Sequence, residues 1–179
     1  MKQAFRLFVV VGALLTFGMA MPAYAADSSS ATVPNAKNLS KIGQIARDKK
    51  LPIILVYSAD HCAYCEILEN EILKPMIISG DYTNRVLIYK LNIDDTQEIR
   101  DFNGDMVSIS DFSMRHNVFV TPTMLFMDAN GKELHERILG INTVEMFGGR
   151  VDNAIEISLA KLRNQNQTIA KNQIQPAHQ

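Results

Sequence analysis

Both cysteines of the chain fall in one short stretch, Asp60-His61-Cys62-Ala63-Tyr64-Cys65-Glu66, two residues apart. Its flanks limit what can be built around it. Ile53-Ile54-Leu55-Val56-Tyr57 comes just before, a β-branched and aliphatic run bounded by Pro52, which is the pattern of a strand buried on both faces. Tyr64, Ile67, Leu68, Ile72 and Leu73 follow at helical spacing, with Glu66, Glu69 and Asn70 on the opposite side. A strand that delivers C-x-x-C to the mouth of a helix favours redox chemistry, because thiol acidity depends on that placement.

A cysteine attacks a disulfide as thiolate. At a helix N-terminus, Cys62 would sit beside unpaired backbone N–H groups and the positive end of the helix dipole, which favour the anion. Cys65, nearly one turn later, is within disulfide reach and more covered. Cys62 is therefore the expected attacking thiol, and Cys65 the one that resolves the mixed disulfide. His61, Ala63, Tyr64 and Glu66 are the neighbours expected to tune the pair: His61 adds positive character when protonated, while Asp60 and Glu66 oppose it. A purely structural disulfide fits poorly, since so small a loop restrains little unfolded-chain entropy. A zinc site needs about four ligands. His61, His116 and His135 would have to converge on the cysteines, so no metal is expected.

The beginning of the chain reads as an address. Lys2 and Arg6 form a short positive region, Phe8 to Phe17 is an apolar core of about ten residues, and Ala23-Tyr24-Ala25 carries small residues at the cleavage-determining positions. Residues 1–25 are thus read as a secretory signal peptide, too short in its apolar part to span a membrane comfortably. Removing it leaves about 150 residues, enough for one domain with a real core. A periplasmic location follows, where disulfides persist. The formal net charge is −1 and no basic block occurs, so nucleic acid is not an expected partner.

Residues 26–37 are small and polar and read as a flexible leader, 38–163 as the folded domain, and 164–179 as a disordered Gln- and Asn-rich tail. Within the domain, a helix capped by Asn38 carries Leu39, Ile42, Ile45 and Ala46 and closes before Pro52. Pro75 disfavours helical geometry at Lys74, so the helix after the cysteines is expected to end there, with a second short one from Pro75 to Ser79. A strand follows over Val86 to Leu91. Asn103-Gly104 predicts a small hairpin, and Ser110-Asp111 a cap for a helix from Phe112 to His116 that ends on a left-handed Asn117. Val118 to Met127 reads as one strand, turned by Asp128-Ala129-Asn130-Gly131 into an antiparallel partner over Leu134 to Leu139. The last helix is expected to start near Asn142, with Glu145 completing a capping box and a buried stripe from Val144 to Leu162.

From about Asn38 to Leu162 the chain resembles the thioredoxin superfamily, and within it periplasmic thioredoxin-like thiol:disulfide reductases of the SoxW type. The residues carrying the likeness are the apolar strand into C-A-Y-C, Asn92-Ile93-Asp94 at the end of the next strand, V-T-P-T-M-L-F-M-D, the D-A-N-G-K turn and Leu139-Gly140. The resemblance implies a three-layer α/β fold with a central mixed sheet flanked by helices. It also implies a cis Pro122 facing the cysteines, with Thr121 and Pro122 binding an extended substrate segment. There are departures. Val56 stands where thioredoxins carry a buried aspartate, leaving Glu66 or water to accept the proton of Cys65. His61 replaces the usual tryptophan, and Ala63-Tyr64 lacks the histidine that stabilises the thiolate of strong oxidases in the family.

The function expected is that of a periplasmic thiol–disulfide oxidoreductase reducing disulfides of exported proteins, as a monomer and without a cofactor. It would be re-reduced by a membrane thiol electron donor, since no flavin or nicotinamide motif is present. A disulfide oxidase or isomerase, and a non-catalytic binding or chaperone domain with a static disulfide, remain as alternatives.

Overall fold

The computed structural model describes residues 31–174, with side chains to residue 168; the signal-peptide reading lies outside them. The element order is α1 (Leu39–Lys49), β1 (Ile53–Ser58), α2 (Ala63–Ile67), a π-helical stretch (Leu68–Leu73) and α3 (Lys74–Ser79). Then come β2 (Leu87–Asn92), β3 (Glu98–Arg100), β4 (Met106–Ser108), α4 (Ile109–Arg115), β5 (Thr123–Met127), β6 (Ile138–Leu139) and α5 (Val144–Ile174). The main sheet runs β2-β1-β5-β6, and β3-β4 is a separate hairpin. β1 pairs parallel to β2 and antiparallel to β5, and β5 antiparallel to β6, so the sheet is mixed as expected.

Alternation along the strands sends side chains to two cores. Ile54, Val56, Met124 and Phe126 pack with Leu68, Ile72, Phe147, Val151 and Ile155 from the π-helical stretch and α5. Ile53, Leu55, Tyr57, Leu125 and Met127 pack on the other face with Leu39, Ile42 and Phe112 from α1 and α4. Two helical layers thus cover both faces, and a strand between two cores must be apolar throughout. That is why β1 shows no alternation.

Several boundaries differ from the sequence reading, each for a physical reason. Lys74 keeps right-handed helical geometry despite Pro75, and its N–H donates to Glu69 O, five residues back. The wider π turn carries the helix into the proline instead of ending it. Ser108, not Ser110-Asp111, caps α4: its hydroxyl accepts from Asp111 N, so the helix starts three residues earlier. Asn117 is left-handed as expected, at φ 52. The Asn103-Gly104 turn does join a hairpin, with the Asp101 carboxylate accepting from Asn103 N and Asp105 N. Of the run Val118 to Met127 only Thr123 onward is strand, and the partner expected over Leu134 to Leu139 pairs as β6 only at Ile138–Leu139.

The leader expected over residues 26–37 is packed at its end. Val33 and Ala36 are buried. Ala36 N donates to Lys90 O (2.8 Å) and Lys90 N to Pro34 O (2.9 Å), so this segment covers the open edge of β2. The last helix begins at Val144, and it runs through the segment read as a disordered tail as far as Ile174. Gln, Lys and Ala are good helix formers, and no breaker follows until Pro176.

Candidate active site

β1 ends at Ser58, and three residues, Ala59, Asp60 and His61, bring the chain to Cys62. His61 takes a left-handed conformation, φ 54, which turns the chain into the helix. Cys62 is the N-cap of α2, in extended geometry, and its Sγ accepts from Cys65 N at 3.3 Å. Its carbonyl accepts from Cys65 N and Glu66 N at 2.9 and 3.1 Å. The two sulfurs form a disulfide with Cα atoms 5.2 Å apart. Cys65 is buried, 7% exposed, while Cys62 is partly open to solvent. A backbone N–H aimed at the more open sulfur suits that atom to carry negative charge when the bond is reduced.

The loop is tied to the end of β2. Asp60 N donates to the Asp94 carboxylate (2.8 Å), Asn92 Nδ2 to the Asp60 carboxylate (2.7 Å), and Asp94 N to Asn92 Oδ1 (3.0 Å). Across from it stands the segment Val118–Pro122. The Thr121–Pro122 peptide is cis, and Thr121 Oγ1 lies 3.6 Å from Cys62 Sγ with its hydroxyl directed at the sulfur. Pro122 O accepts from Gly140 N (2.8 Å), and Val120 O from the Thr123 hydroxyl (2.7 Å).

The structure therefore brings Cys62, Cys65, Thr121 and Pro122 together. His61, Ala63 and Glu66 are exposed around the motif, and Tyr64, 60% exposed, stands outward between the cysteines. Glu66 faces solvent. A different carboxylate turns inward: Glu69, four residues beyond Cys65, pairs with Lys90 at 2.7 Å and more loosely with Lys74 at 3.9 Å. Lys90 is in register with Val56. Phe119 (74% exposed) and Val120 (52%) offer an apolar surface beside Thr121. The sequence hid both features. The register that pairs Lys90 with Val56 is a long-range property, and Phe119-Val120 looks like the start of a strand. Among the described residues no group of three or more His, Cys, Asp or Glu is placed to hold a metal.

Residues 40–155 match the model of a family described as a thioredoxin-like domain. The chain belongs to that family. A search among curated proteins finds no match. Among solved structures it is similar to a DsbH oxidoreductase, at 16% identity over 70% of this chain and 87% of that one, with a TM-score of 0.54. It is also similar to oxidized thioredoxin O2 from Arabidopsis thaliana (21% identity, 68% and 93% covered, TM-score 0.45) and to oxidized mitochondrial thioredoxin 3 from Saccharomyces cerevisiae (18%, 67% and 94%, TM-score 0.46). At these identities the likeness is one of fold, and the DsbH comparison carries it. A thioredoxin-like domain whose paired cysteines are joined at a helix N-terminus is a thiol–disulfide oxidoreductase.

Proposed function

We propose that this oxidoreductase works in the periplasm as a reductase of disulfides in exported proteins. The observation that carries the exchange chemistry is the asymmetry of the pair: Cys62 is reachable and capped by an N–H, and Cys65 is buried behind it. In the reduced protein the Cys62 thiolate attacks one sulfur of a substrate disulfide. That bond breaks, the departing substrate sulfur takes a proton, and a mixed disulfide remains. Cys65 loses its proton and attacks Cys62 Sγ, which releases the second substrate thiol and forms the Cys62–Cys65 disulfide. Two electrons pass to the substrate. A membrane thiol donor returns them by the same exchange in reverse. Thr121 and Pro122 hold the substrate backbone, and His61, Ala63, Tyr64 and Glu66 set the potential.

The reducing direction is supported by the dipeptide Ala63-Tyr64, which places no cation between the cysteines to favour the thiolate and hence the reduced form. Export is supported by the signal-peptide pattern, and the SoxW-type assignment by the motifs that carry that resemblance. Equilibration with glutathione tests the direction. A potential near that of thioredoxin, about −270 mV, is expected; one near DsbA, about −120 mV, would overturn the reductase reading and leave the oxidoreductase. Cys65→Ser, which stalls the mixed disulfide, should trap exported proteins in a periplasmic extract, and capture of none would count against protein substrates.

A further inference from the structure

The segment facing the cysteines has no secondary structure of its own from Val118 to Pro122, and Phe119 and Val120 are open to solvent. Something else must hold it. Its entry is the C-terminal end of α4, where Asn117 N donates to Met114 O and Val118 N to Ser113 O. Past Arg115, where α4 ends, the carbonyls of His116 and Asn117 have no helical donor left. Arg137 supplies both: Nη1 donates to His116 O at 2.8 Å and to Asn117 O at 3.1 Å, while Nη2 is held by Glu133. A guanidinium suits this place because its donors are fixed in a plane and its charge matches the negative end of a helix.

The exit of the same segment is held by the residues that follow Arg137. Leu139 pairs with Thr123, and Gly140 N donates to Pro122 O. Residues 137–140 thus grip the segment at both ends, by a side chain at the entry and by backbone at the exit. Arg137 contacts neither cysteine through any hydrogen bond of the structure.

We propose that Arg137 is a positioning residue that fixes Val118–Pro122 in the arrangement in which Thr121, Phe119 and Val120 receive a protein disulfide. This rests on the reading of the substrate as a protein disulfide. It predicts a division of labour: losing the guanidinium impairs docking of a large substrate and spares the intrinsic reactivity of Cys62.

The test compares wild type with Arg137→Ala and Arg137→Lys by three measurements. These are KM and kcat for reduction of insulin disulfides with dithiothreitol as donor, the alkylation rate of reduced Cys62 by iodoacetamide, and amide hydrogen exchange. Arg137→Ala should raise KM on the order of tenfold, with kcat and the iodoacetamide rate within about threefold. Arg137→Lys, which keeps the charge without the fork, should fall between. Exchange at the Asn117 and Val118 amides, which donate to Met114 O and Ser113 O at the entry, should quicken in Arg137→Ala, while that of α2 stays as in wild type. An unchanged KM, or an iodoacetamide rate that falls in step with turnover, would overturn the proposal. Should wild type fail to reduce insulin, the protein-disulfide reading falls, and hydrogen exchange still decides the clamp: unchanged exchange at Asn117 and Val118 removes it. If Arg137→Ala does not fold, Arg137→Lys carries the same three measurements.

Discussion

The site is made of two loops held in opposite ways. The motif loop, Ala59 to Cys62, is organised from within its neighbourhood: a left-handed His61, an N-cap formed by Cys62 itself, and the Asp60–Asn92–Asp94 hydrogen bonds to the adjoining strand. The opposing loop, Val118 to Pro122, is organised from a distance. Its entry is fastened by Arg137 and its exit by Gly140, both on the far side of the β5–β6 turn. The first loop holds the reacting atoms and needs to keep one N–H on one sulfur. The second presents a hydroxyl, a proline and two exposed apolar side chains, and needs to keep a surface. If the exchange proceeds as proposed, reactivity is a local property of this molecule, and recognition a property of its tertiary structure.

The comparison breaks most directly at Cys62. Cys62→Ser leaves both loops in place but removes the accessible nucleophile, so turnover on any disulfide should fall to the uncatalysed level. Measurable exchange through Cys65 alone would mean that burial does not assign the roles. Asp94→Ala comes next in size. It removes the acceptor for Asp60 N and loosens the motif loop from β2. A hydrogen bond to a charged group at a partly exposed site suggests a loss of about 1–2 kcal/mol, read by urea denaturation of the oxidized protein. The exchange of the Asn117 and Val118 amides should be unaffected, because the second loop is fastened elsewhere. Coupled loosening of both loops would sink the claim that they are held independently.

How much of this was legible in the chain follows the same division. Ile53 to Tyr57, the cysteine spacing and the helix behind it are contiguous, and they alone argued for Cys62 as attacking thiol and Cys65 as the covered one. In the structure Cys62 is the N-cap and Cys65 is buried. Thr121 and Pro122 came only through resemblance, since nothing near them in sequence says that they face a cysteine. Phe119 and Val120 were misread as strand because an apolar run looks alike whether it is paired in a sheet or exposed in a loop. Glu69, Lys90 and Arg137 carry no local signal at all. Their partners lie 21 residues apart for the first pair and 21 and 20 for Arg137 with the His116 and Asn117 carbonyls. Val33 and Ala36 escaped notice because edge coverage depends on which strand the topology leaves at the edge. Pro75 misled for a different reason: its local preference was real, but a π turn absorbed it.

Where the two loops touch, the effect should be smaller. Thr121→Val keeps shape and removes the hydroxyl that points at Cys62 Sγ. A weak bond of about 0.5–1 kcal/mol to the thiolate translates into alkylation of Cys62 slower by roughly threefold below neutrality, with stability little changed. No change in that rate would restrict Thr121 to the substrate-holding surface and make the separation between the loops sharper still.

The smallest expected effect lies behind both loops, at Tyr57. Its ring fills the core between β1 and α4, yet its hydroxyl is buried and has no hydrogen-bond partner among the described residues. Burial pushes the ionisation of the phenol upward, the Arg137 charge pulls it down, and Glu133 pushes it up again, with a net rise above the ordinary 10.0. Tyr57→Phe keeps the ring and removes an unsatisfied polar group, so stability at neutral pH should be unchanged or higher by less than about 1 kcal/mol. Alkaline pH separates the two proteins further. A phenol that resists ionising in the fold contributes stability fully below the unfolded pKa near 10, and that contribution is lost as pH rises above it, because the unfolded chain releases the proton first. Urea midpoints measured from pH 8 to 11 should therefore fall more steeply for wild type than for Tyr57→Phe. Parallel curves would show that the phenol ionises in the fold as readily as in the unfolded chain, so that burial does not isolate it behind the two loops.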